Sequence, residues 1–380
     1  MKILHLFSDW KWTGPAEPTL SLCEALTNEG VDVTLAYRKT PEDFQGRTVE
    51  KEIKKGNFKS YGGFRLNRYF SLKDWFHDER AIQAYIIKNG IDIVHTNLSH
   101  DYFTAIFSLS FMKKSPLIVR SDHKRDGMPV NTFMRWSMSR TDGLVSYSKK
   151  IMDQDIKGFH FPVERTSVVP PGITPYEGPV KNMRSEFGLH EDELVIGVIG
   201  RLKPDRGYDV ILKAFKQIKE RMGQVKLIIV GRSSQMEKSI KQPLLELGLK
   251  DNVILAGYRV DDYFSMIALF DLFVMMRAGS DGSARALREV MAMGKPAIVS
   301  DMGMLPELVE DGKTGYVVKL EEYGLAEKME AILTDKQRRI TFGINAHKAA
   351  REQWNYGQQA KKMEEFYLKL LSLKTLKSPQ

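Results

Sequence analysis

The chain of 380 residues has a single cysteine, Cys23, and lacks the marks of a secreted or membrane-spanning protein. One cysteine excludes an intramolecular disulfide framework and a Cys-x-x-Cys metal site, and its setting in LSLCEAL predicts simple packing inside a helix. The segment MKILHLFSDW at the start is too short and becomes polar too early for a signal peptide. No apolar run approaches the roughly 20 residues that span a bilayer. We therefore expect a cytoplasmic protein that does not itself cross a membrane.

The composition is basic, with 57 lysine and arginine residues against 48 aspartate and glutamate residues. This balance favours anionic partners such as nucleic acid, lipid head groups or phosphorylated small molecules. No RNA- or DNA-binding motif is recognisable, so we expect no nucleic-acid partner. The densest basic and aromatic stretch, residues 51–72, is either a solvated loop and helix edge or a surface for an acceptor or an anionic membrane. Its candidate contacts are Lys54, Lys55, Arg65 and Arg68.

Short β-branched and apolar runs recur along the chain, separated mostly by helical patterns. They lie at residues 2–7, 31–37, 91–97, 116–121, 143–148, 166–172, 194–200, 225–231, 252–258, 272–276, 296–300 and 315–318. This alternation predicts parallel sheets covered by helices on both faces. The segment PPGITPYEGPVKNM, which begins at Pro170, interrupts the alternation, so we predict two α/β domains, residues 1–174 and 175–354. A last helix at about residues 355–372 has no strand after it and must pack on a domain already built.

The segment GVIGRLKPDRGYDVILKAF at residues 197–215 predicts a buried strand, a short loop and a helix that begins near Tyr208. The loop collects Arg201, Lys203 and Arg206 beside the N–H groups of a helix start, which is how proteins hold a phosphate. Neither the G-x-G-x-x-G nor the G-x-x-x-x-G-K-[ST] spacing is present, so dinucleotide and P-loop chemistry have no direct support here. A solvated basic loop is the alternative interpretation.

The segment SDGSARALREVMAMGKP at residues 280–296 brackets a small polar run with two carboxylates, Asp281 and Glu289. A fully helical interval would separate them by roughly 12 Å, which exceeds the approximately 5 to 9.5 Å of paired glycosidase carboxylates. We interpret them as two carboxylates that accept hydrogen bonds from an elongated, hydroxyl-rich ligand. They would lie beside a helix with Ser283 as its N-cap. The buried stripe predicted for that helix is Leu287, Val290 and Met291. A capping aspartate and a solvated helix glutamate are the alternative.

These segments resemble the motifs of retaining GT-B glycosyltransferases of the group 1 or family 4 type. The stretch from residue 281 is similar to their E-x7-E signature, with Asp281 for the first glutamate and Glu289 for the second. The loop with Arg206 is similar to their G-R-L-x-x-x-K-G element, and Gly14-Pro15 stands where they have a Gly-Gly turn. The resemblance spans almost the whole chain. It implies the GT-B fold, two doubly wound Rossmann-like domains facing a cleft, with the C-terminal helix crossing back to the first domain.

The resemblance also implies a donor site for a nucleotide-diphosphate sugar, which is a substrate and not a cofactor. Arg201 and Arg206 would hold the diphosphate, Glu289 the ribose hydroxyls and Asp281 the hydroxyls of the donor sugar. The other donor-binding residues would be Gly14, Tyr258, Arg259, Gly282, Ser283 and Ala284. No metal ion is expected, because arginines and helix N-termini would neutralise the leaving diphosphate.

Catalysis in this family is chiefly stabilisation of the leaving group, which implies catalytic roles for Arg201, Arg206 and Asp281. His123, in the segment RSDHK, is the further catalytic candidate, because it occupies a position where members often carry a histidine near the donor sugar; a structural histidine is the alternative. In the retaining route the acceptor hydroxyl attacks from the face that the diphosphate leaves, and a diphosphate oxygen can take its proton.

We therefore expect a retaining glycosyltransferase that moves a sugar from a nucleotide-diphosphate sugar to a glycan or lipid-linked acceptor in cell-surface polysaccharide or glycolipid synthesis. It would act in the cytoplasm or peripherally on the inner face of the membrane. Two other classes stay open. One is a GT-B epimerase or phosphorylase, and the other is a catalytically silent protein that binds anionic ligands.

Overall fold

The computed structural model describes residues 1–69, 71–279 and 284–377. Contacts divide the described chain into two compact units. Unit 1 contains residues 1–172 and 355–377, and unit 2 contains residues 173–279 and 284–354. Each unit has its own parallel sheet and its own hydrophobic core.

The sheet of unit 1 is built from the following strands of the described chain: β1 (Lys2–Phe7), β2 (Asp32–Tyr37), β3 (Lys59–Tyr61), β4 (Ile93–Thr96), β5 (Leu117–Asp122), β6 (Gly143–Ser146) and β7 (Thr166–Val168). All its pairs are parallel, in the order β3-β2-β1-β4-β5-β6-β7. The helices between them are α1 (Ala16–Asn28), α2 (Val49–Ile53), α3 (Leu72–Asn89), α4 (Ser99–Ser110), α5 (Thr132–Met138) and α6 (Lys149–Phe159).

The sheet of unit 2 is built from β8 (Leu194–Ile199), β9 (Val225–Val230), β10 (Val253–Gly257), β11 (Leu272–Met275), β12 (Ala297–Ser300) and β13 (Gly315–Val318). These strands are also parallel, in the order β10-β9-β8-β11-β12-β13. The helices are α7 (Tyr208–Arg221), α8 (Gln242–Glu246), α9 (Tyr263–Ala268), α10 (Arg285–Ala292), α11 (Leu305–Leu308), α12 (Glu322–Leu333) and α13 (Lys336–Gln353). Two doubly wound α/β units are thus confirmed.

Each of the twelve predicted runs contains a strand, because a run of β-branched and apolar residues fits a sheet buried on both faces. The edge strand β3 is not among the predicted runs and lies inside the basic stretch 51–72, for which the sequence predicts a solvated loop and helix edge or a binding surface. It has only three residues, and Lys59 in it is exposed and pairs with Asp32 at 2.8 Å. A charged edge strand of this kind lacks the apolar signal, because one side of it faces water.

The C-terminal helix α14 (Tyr356–Lys377) packs in unit 1 beside α1, as predicted. Its residues Met363, Phe366, Tyr367 and Leu370 are buried in the same core as β1 and α1. The Tyr367 hydroxyl lies 2.5 Å from His95 Nδ1 and 3.2 Å from His5 Nε2, so a buried polar network connects the helix to β1 and β4. Burial lowers the pKa of His5 to about 3, and therefore this histidine is neutral near pH 7.

Cys23 is fully buried in α1, which confirms the prediction of simple helix packing, and burial raises the pKa of its thiol. Within the described ranges, no helix combines the length and the apolar character that crossing a bilayer requires.

Candidate functional site

The carboxyl edge of the unit 2 sheet is where its topology favours a ligand. The chain runs from β8 outward to β9 and β10, then returns to the other side of β8 to place β11. The loops that follow β8 and β11 therefore flank a topological switch point, the usual binding crevice of an open α/β sheet. The loop that contains Arg201, Lys203 and Arg206, here called the arginine loop, follows β8. The segment of residues 280–296 follows β11.

The structure packs the arginine loop against the segment that follows β11. The Arg206 guanidinium donates a hydrogen bond to the Ala278 carbonyl, and its Nε lies 3.7 Å from an Asp205 carboxylate oxygen. Gly207 has φ +75°, and an added Cβ there would lie 2.8 Å from Met276 Cβ. This close approach requires glycine. Arg206 thus has a fixed orientation at the edge of the sheet, with its side chain only 10% exposed.

Arg201 lies in the same loop but is exposed to solvent. Its carbonyl accepts a hydrogen bond from the Tyr208 hydroxyl at 3.3 Å, so its backbone is held while its side chain reaches into water. The helix α7 begins at Tyr208, as predicted, and its amino-terminal end lies beside the loop. An exposed guanidinium and the positive end of a helix dipole can together attract a phosphate.

Glu289 is buried in α10, and both of its carboxylate oxygens are hydrogen-bonded. Its Oε2 accepts from the Tyr263 hydroxyl at 2.7 Å and its Oε1 accepts from Arg285 Nε at 2.7 Å. The residue is 6% exposed, so the alternative of a solvated helix glutamate is wrong. Each carboxylate oxygen can accept more than one hydrogen bond, so a fixed Glu289 can still accept from a ligand hydroxyl. The predicted stripe of Leu287, Val290 and Met291 is fully buried.

The helix α10 begins later than the sequence suggested. Ala284 precedes it with φ +43°, a left-handed conformation that costs a non-glycine residue roughly 1–2 kcal/mol. The interval up to Glu289 is therefore not one continuous helix, and the rise per residue does not give the separation of the two carboxylates. Asp281, Gly282 and Ser283 lie outside the described residues, so their predicted roles stay predictions.

Tyr258 and Arg259 follow β10, on the opposite side of β9 from the arginine loop. Tyr258 is 58% exposed, and the Arg232 guanidinium lies 4.4 Å from its ring centroid. Arg259 donates to Glu186 and to Asp262, each at 2.7 Å, and the hydrogen bond to Glu186 is the main cause that raises its pKa. Tyr258 is thus available for stacking, whereas Arg259 fixes the loop.

Sequence reasoning missed Tyr263, which contacts Glu289, and Arg232, which contacts Tyr258. Tyr263 lies 26 residues before Glu289 in a different helix, and no spacing rule connects the two. Arg232 lies two residues after the end of β9, so the rule that ligands bind at strand carboxyl ends would have found it. Within the described residues, no group of three or more histidine, cysteine, aspartate or glutamate side chains could hold a metal ion.

His123 and Gly14 lie in unit 1, at the carboxyl edge of its sheet. His123 Nε2 is 3.4 Å from Asn97 Oδ1, and Thr19 Oγ1 lies 3.3 Å from the same oxygen and 2.8 Å from the Pro15 carbonyl. One polar chain thus joins His123 to the turn that contains Gly14. Burial, reinforced by Arg120, lowers the pKa of His123 to about 3, so its imidazole is neutral near pH 7.

Asp122, which precedes His123, and Asp155 are two buried carboxyls, and burial raises the pKa of both. Asp155 Oδ1 also accepts from the Met128 amide at 3.0 Å, and Asp122 Oδ1 accepts from the Lys124 amide at 3.2 Å. Burial and the neighbouring carboxylate raise the pKa of Asp155 to about 7. The pair therefore fixes both ends of the loop that begins at His123.

The four cations proposed for an acceptor or membrane each pair with a carboxylate of unit 1. The pairs are Lys54 with Glu50 at 3.7 Å, Lys55 with Glu52 at 2.9 Å, Arg65 with Asp74 at 2.7 Å and Arg68 with Asp9 at 3.1 Å. Much of the positive charge of this stretch is thus balanced within the protein. A role in acceptor or membrane binding stays a prediction.

Two family models match the chain. The model described as Glycosyl transferases group 1 matches residues 180–349, and the model described as Glycosyltransferase Family 4 matches residues 14–176. Together they cover most of the chain. A curated relative, the lipopolysaccharide 1,2-N-acetylglucosaminetransferase of Salmonella typhimurium, is 28% identical over 50% of this chain and 53% of its own length. The chain thus spans about half the length of the curated relatives it matches.

Solved structures agree with the fold over the whole length. A glycosyltransferase from Rickettsia africae has a TM-score of 0.83 at 16% identity and covers 97% of this chain and 98% of its own. Anabaena HepE in complex with UDP has a TM-score of 0.78 at 18% identity and covers 96% of this chain and 99% of its own. With both family models matched and both sheets in the expected arrangement, the chain belongs to the group 1 glycosyltransferases with the GT-B fold.

Proposed function

We propose that the protein is a retaining glycosyltransferase that moves a sugar from a nucleotide-diphosphate sugar to a glycan or lipid-linked acceptor. The product would be a cell-surface polysaccharide or a glycolipid. The enzyme would work in the cytoplasm, in contact with the inner face of the membrane. The lipopolysaccharide N-acetylglucosaminetransferase of Salmonella and the UDP complex of Anabaena HepE support this class of donor and acceptor.

The observation that carries this proposal is the packing of the arginine loop against the segment after β11. Arg206 donates a hydrogen bond to the Ala278 carbonyl, and the amino-terminal end of α7 lies beside the arginine loop. A diphosphate bound there would meet a fixed guanidinium, an exposed Arg201 and helix N–H groups, which replace the charge of a metal ion. Glu289, fixed by Tyr263 and Arg285, would accept hydrogen bonds from the ribose hydroxyls.

In unit 1 we assign His123 a hydrogen-bonding role toward the donor sugar. A histidine with a pKa near 3 is neutral at working pH, so it offers one N–H donor and one acceptor nitrogen but adds no positive charge. A neutral group suits a sugar hydroxyl. The positive charge for the leaving diphosphate would then come from Arg201 and Arg206.

A nucleotide-sugar panel tests the donor site. UDP-, GDP- and ADP-sugars are compared by thermal shift, and the best donor is then assayed for transfer, with proton NMR to read the anomeric configuration of the product. We expect one nucleotide to stabilise the protein, transfer that continues in EDTA, and retention of configuration. Consumption of donor without an acceptor would indicate an epimerase instead. Absence of stabilisation by all three nucleotides would contradict a donor site in this chain.

For the membrane contact we propose the aromatic face, which we define as Trp75, Phe76, Phe107, Phe133 and Trp136 on α3, α4 and α5. Neighbouring rings lie 5.0 to 6.3 Å apart, and Phe76 and Phe133 are about half exposed. The Arg140 guanidinium lies 4.2 Å from the Trp136 centroid. The cations Lys113 and Lys114 follow α4 in sequence. Half-exposed aromatic rings beside cations suit the interface of an anionic bilayer.

Vesicle sedimentation tests this contact. The double variant Phe76→Ser with Phe133→Ser should weaken binding to phosphatidylglycerol vesicles by about tenfold, because two rings no longer enter the interface. The control is Tyr323→Ser, which removes a more exposed aromatic from unit 2. If the double variant binds like the wild type while Lys54→Gln with Lys55→Gln does not, the contact lies on the 51–72 stretch.

A further inference from the structure

Unit 1 contains a cavity of about 410 Å³ at the carboxyl ends of β2 and β3, remote in sequence from the residues assigned above to the donor. Its lining includes Arg38, Lys39, Arg65, Asp74 and His77. The volume falls within the range of small-molecule sites, which is about 300–1,000 Å³. The position at a carboxyl edge is where open α/β sheets bind ligands.

The lining of this cavity has an excess of positive charge. Three basic side chains, Arg38, Lys39 and Arg65, share this lining with one carboxylate, that of Asp74. A hydrogen bond from Asn67, assisted by one from Arg65, lowers the pKa of Asp74, so the carboxylate is ionised and offsets a single positive charge. Within the part of the chain that the structure describes, the Lys39 ammonium makes no ion pair or hydrogen bond. A cation that is not paired inside the protein can bind an anion without first breaking an internal contact.

The wall of the cavity is held rigid by two carboxylates of α3. Asp78 is buried and accepts hydrogen bonds from the amides of Arg65 and Leu66 at 2.8 and 2.7 Å. These bonds stabilise Leu66 at φ +40°, a backbone conformation that a leucine rarely adopts. Asp74 accepts from Asn67 Nδ2 at 2.9 Å. The loop is therefore shaped before any ligand arrives.

Arg38 is positioned by the same loop. Its Nη1 donates to Asn67 Oδ1 at 2.7 Å, which directs the planar guanidinium along the cavity wall. Gly62 forms another part of the lining, and an added Cβ there would lie 3.0 Å from Lys39 Cε. The absence of a side chain at Gly62 leaves room for the lysine stem. A guanidinium fork and an ammonium against bare backbone can bind the oxygens of one tetrahedral anion together.

We propose that this cavity binds a phosphate group carried by the acceptor, with Arg38 and Lys39 as its principal contacts. The assignment to the acceptor rests on the proposed function, because the donor diphosphate is assigned to unit 2. The phosphate would anchor one end of the acceptor and leave its hydroxyl for reaction elsewhere. A neutral sugar would accept hydrogen bonds from these side chains but would not use their positive charge.

Hydrogen–deuterium exchange on the full chain tests the site directly. Inorganic phosphate is titrated at constant ionic strength against chloride, and exchange is followed at the amides of residues 62–69. We expect slower exchange in the wild type and in the control Lys88→Gln, which removes an exposed cation at the far end of α3. In Lys39→Gln and Arg38→Gln, half-maximal protection should need about tenfold more phosphate.

The source of the phosphate is distinguished by two further probes, glycerol 3-phosphate and vesicles of phosphatidylcholine with phosphatidic acid. Protection of residues 62–69 by the vesicles at lower phosphate concentration assigns the site to a lipid-borne group, and the reverse order assigns it to a soluble one. Equal exchange with and without every phosphate probe, or equal titrations for Lys39→Gln and Lys88→Gln, would overturn the site. Exchange at residues 201–208 with nucleotide sugar reports on the donor site separately, so failure of one assignment does not hide the other.

Discussion

Replacing Arg206 with alanine should lower the rate of sugar transfer by about a hundredfold to a thousandfold, the typical cost of removing a fixed donor that stabilises developing charge. The guanidinium is held by the Ala278 carbonyl at the carboxyl edge of β8 and β11, so no reorganisation is needed as the diphosphate leaves. The effect should appear mainly in kcat, because negative charge on the leaving oxygen is greatest in the transition state. Steady-state kinetics with the best donor of the nucleotide panel measures it.

Two comparisons make the Arg206 result specific. Arg206→Lys keeps the charge but loses the planar fork, so it should recover only part of the rate. Arg221→Ala removes a cation at the other end of α7, where Arg221 is half exposed and pairs with Glu330, and it should leave transfer unchanged. Thermal unfolding checks that all three variants are folded. A folded Arg206→Ala enzyme with the wild-type rate would remove Arg206 from the mechanism.

Local patterns predicted the parts of this fold that local physics determines. The strand β8 and the helix α7 were predicted because one is a continuous apolar run and the other places Ile211, Ala214, Phe215 and Ile218 on one buried face. The edge strand β3 gave no such signal, since its charged residues face water. Hydrophobic periodicity indicates buried side chains, and a solvated edge strand has few of them, so the pattern does not detect it.

The candidate site was predicted only as far as its motifs reach. Glu289 was identified from its motif. Its hydrogen-bond partner Tyr263 lies in another helix, so only the tertiary structure reveals this contact. The pairing of Arg65 with Asp74 and of Arg68 with Asp9 likewise depends on tertiary contacts, the latter over 59 residues of sequence. The basic stretch 51–72 therefore suggests more unpaired positive charge than unit 1 has available for a ligand. The cavity near Lys39 combines residues of three segments, and no linear motif describes it.

The second large effect concerns stability and pH, and it requires no ligand. Asp155 has an ordinary pKa of 3.8 and a folded-state pKa of about 7, because it is buried beside Asp122. Between these values the folded state keeps a proton that the unfolded state releases. The contribution of Asp155 to the free energy of unfolding is therefore fully present below about pH 4 and is lost as the pH rises through about 7. Arg120 and Lys124 also face the pair and partly offset its negative charge.

Asp155→Asn should remove this loss of stability with rising pH, because an asparagine cannot ionise. Its Oδ1 can still accept from the Met128 amide. We expect urea-unfolding midpoints equal to the wild type below about pH 4 and a gain of about 1–3 kcal/mol in the free energy of unfolding near about pH 8. The matched control is Asp153→Asn on the same helix, where an exposed aspartate pairs with Lys149 and contributes little. Parallel pH profiles for Asp155→Asn and the wild type would mean that Asp155 does not keep its proton in the folded state near neutral pH.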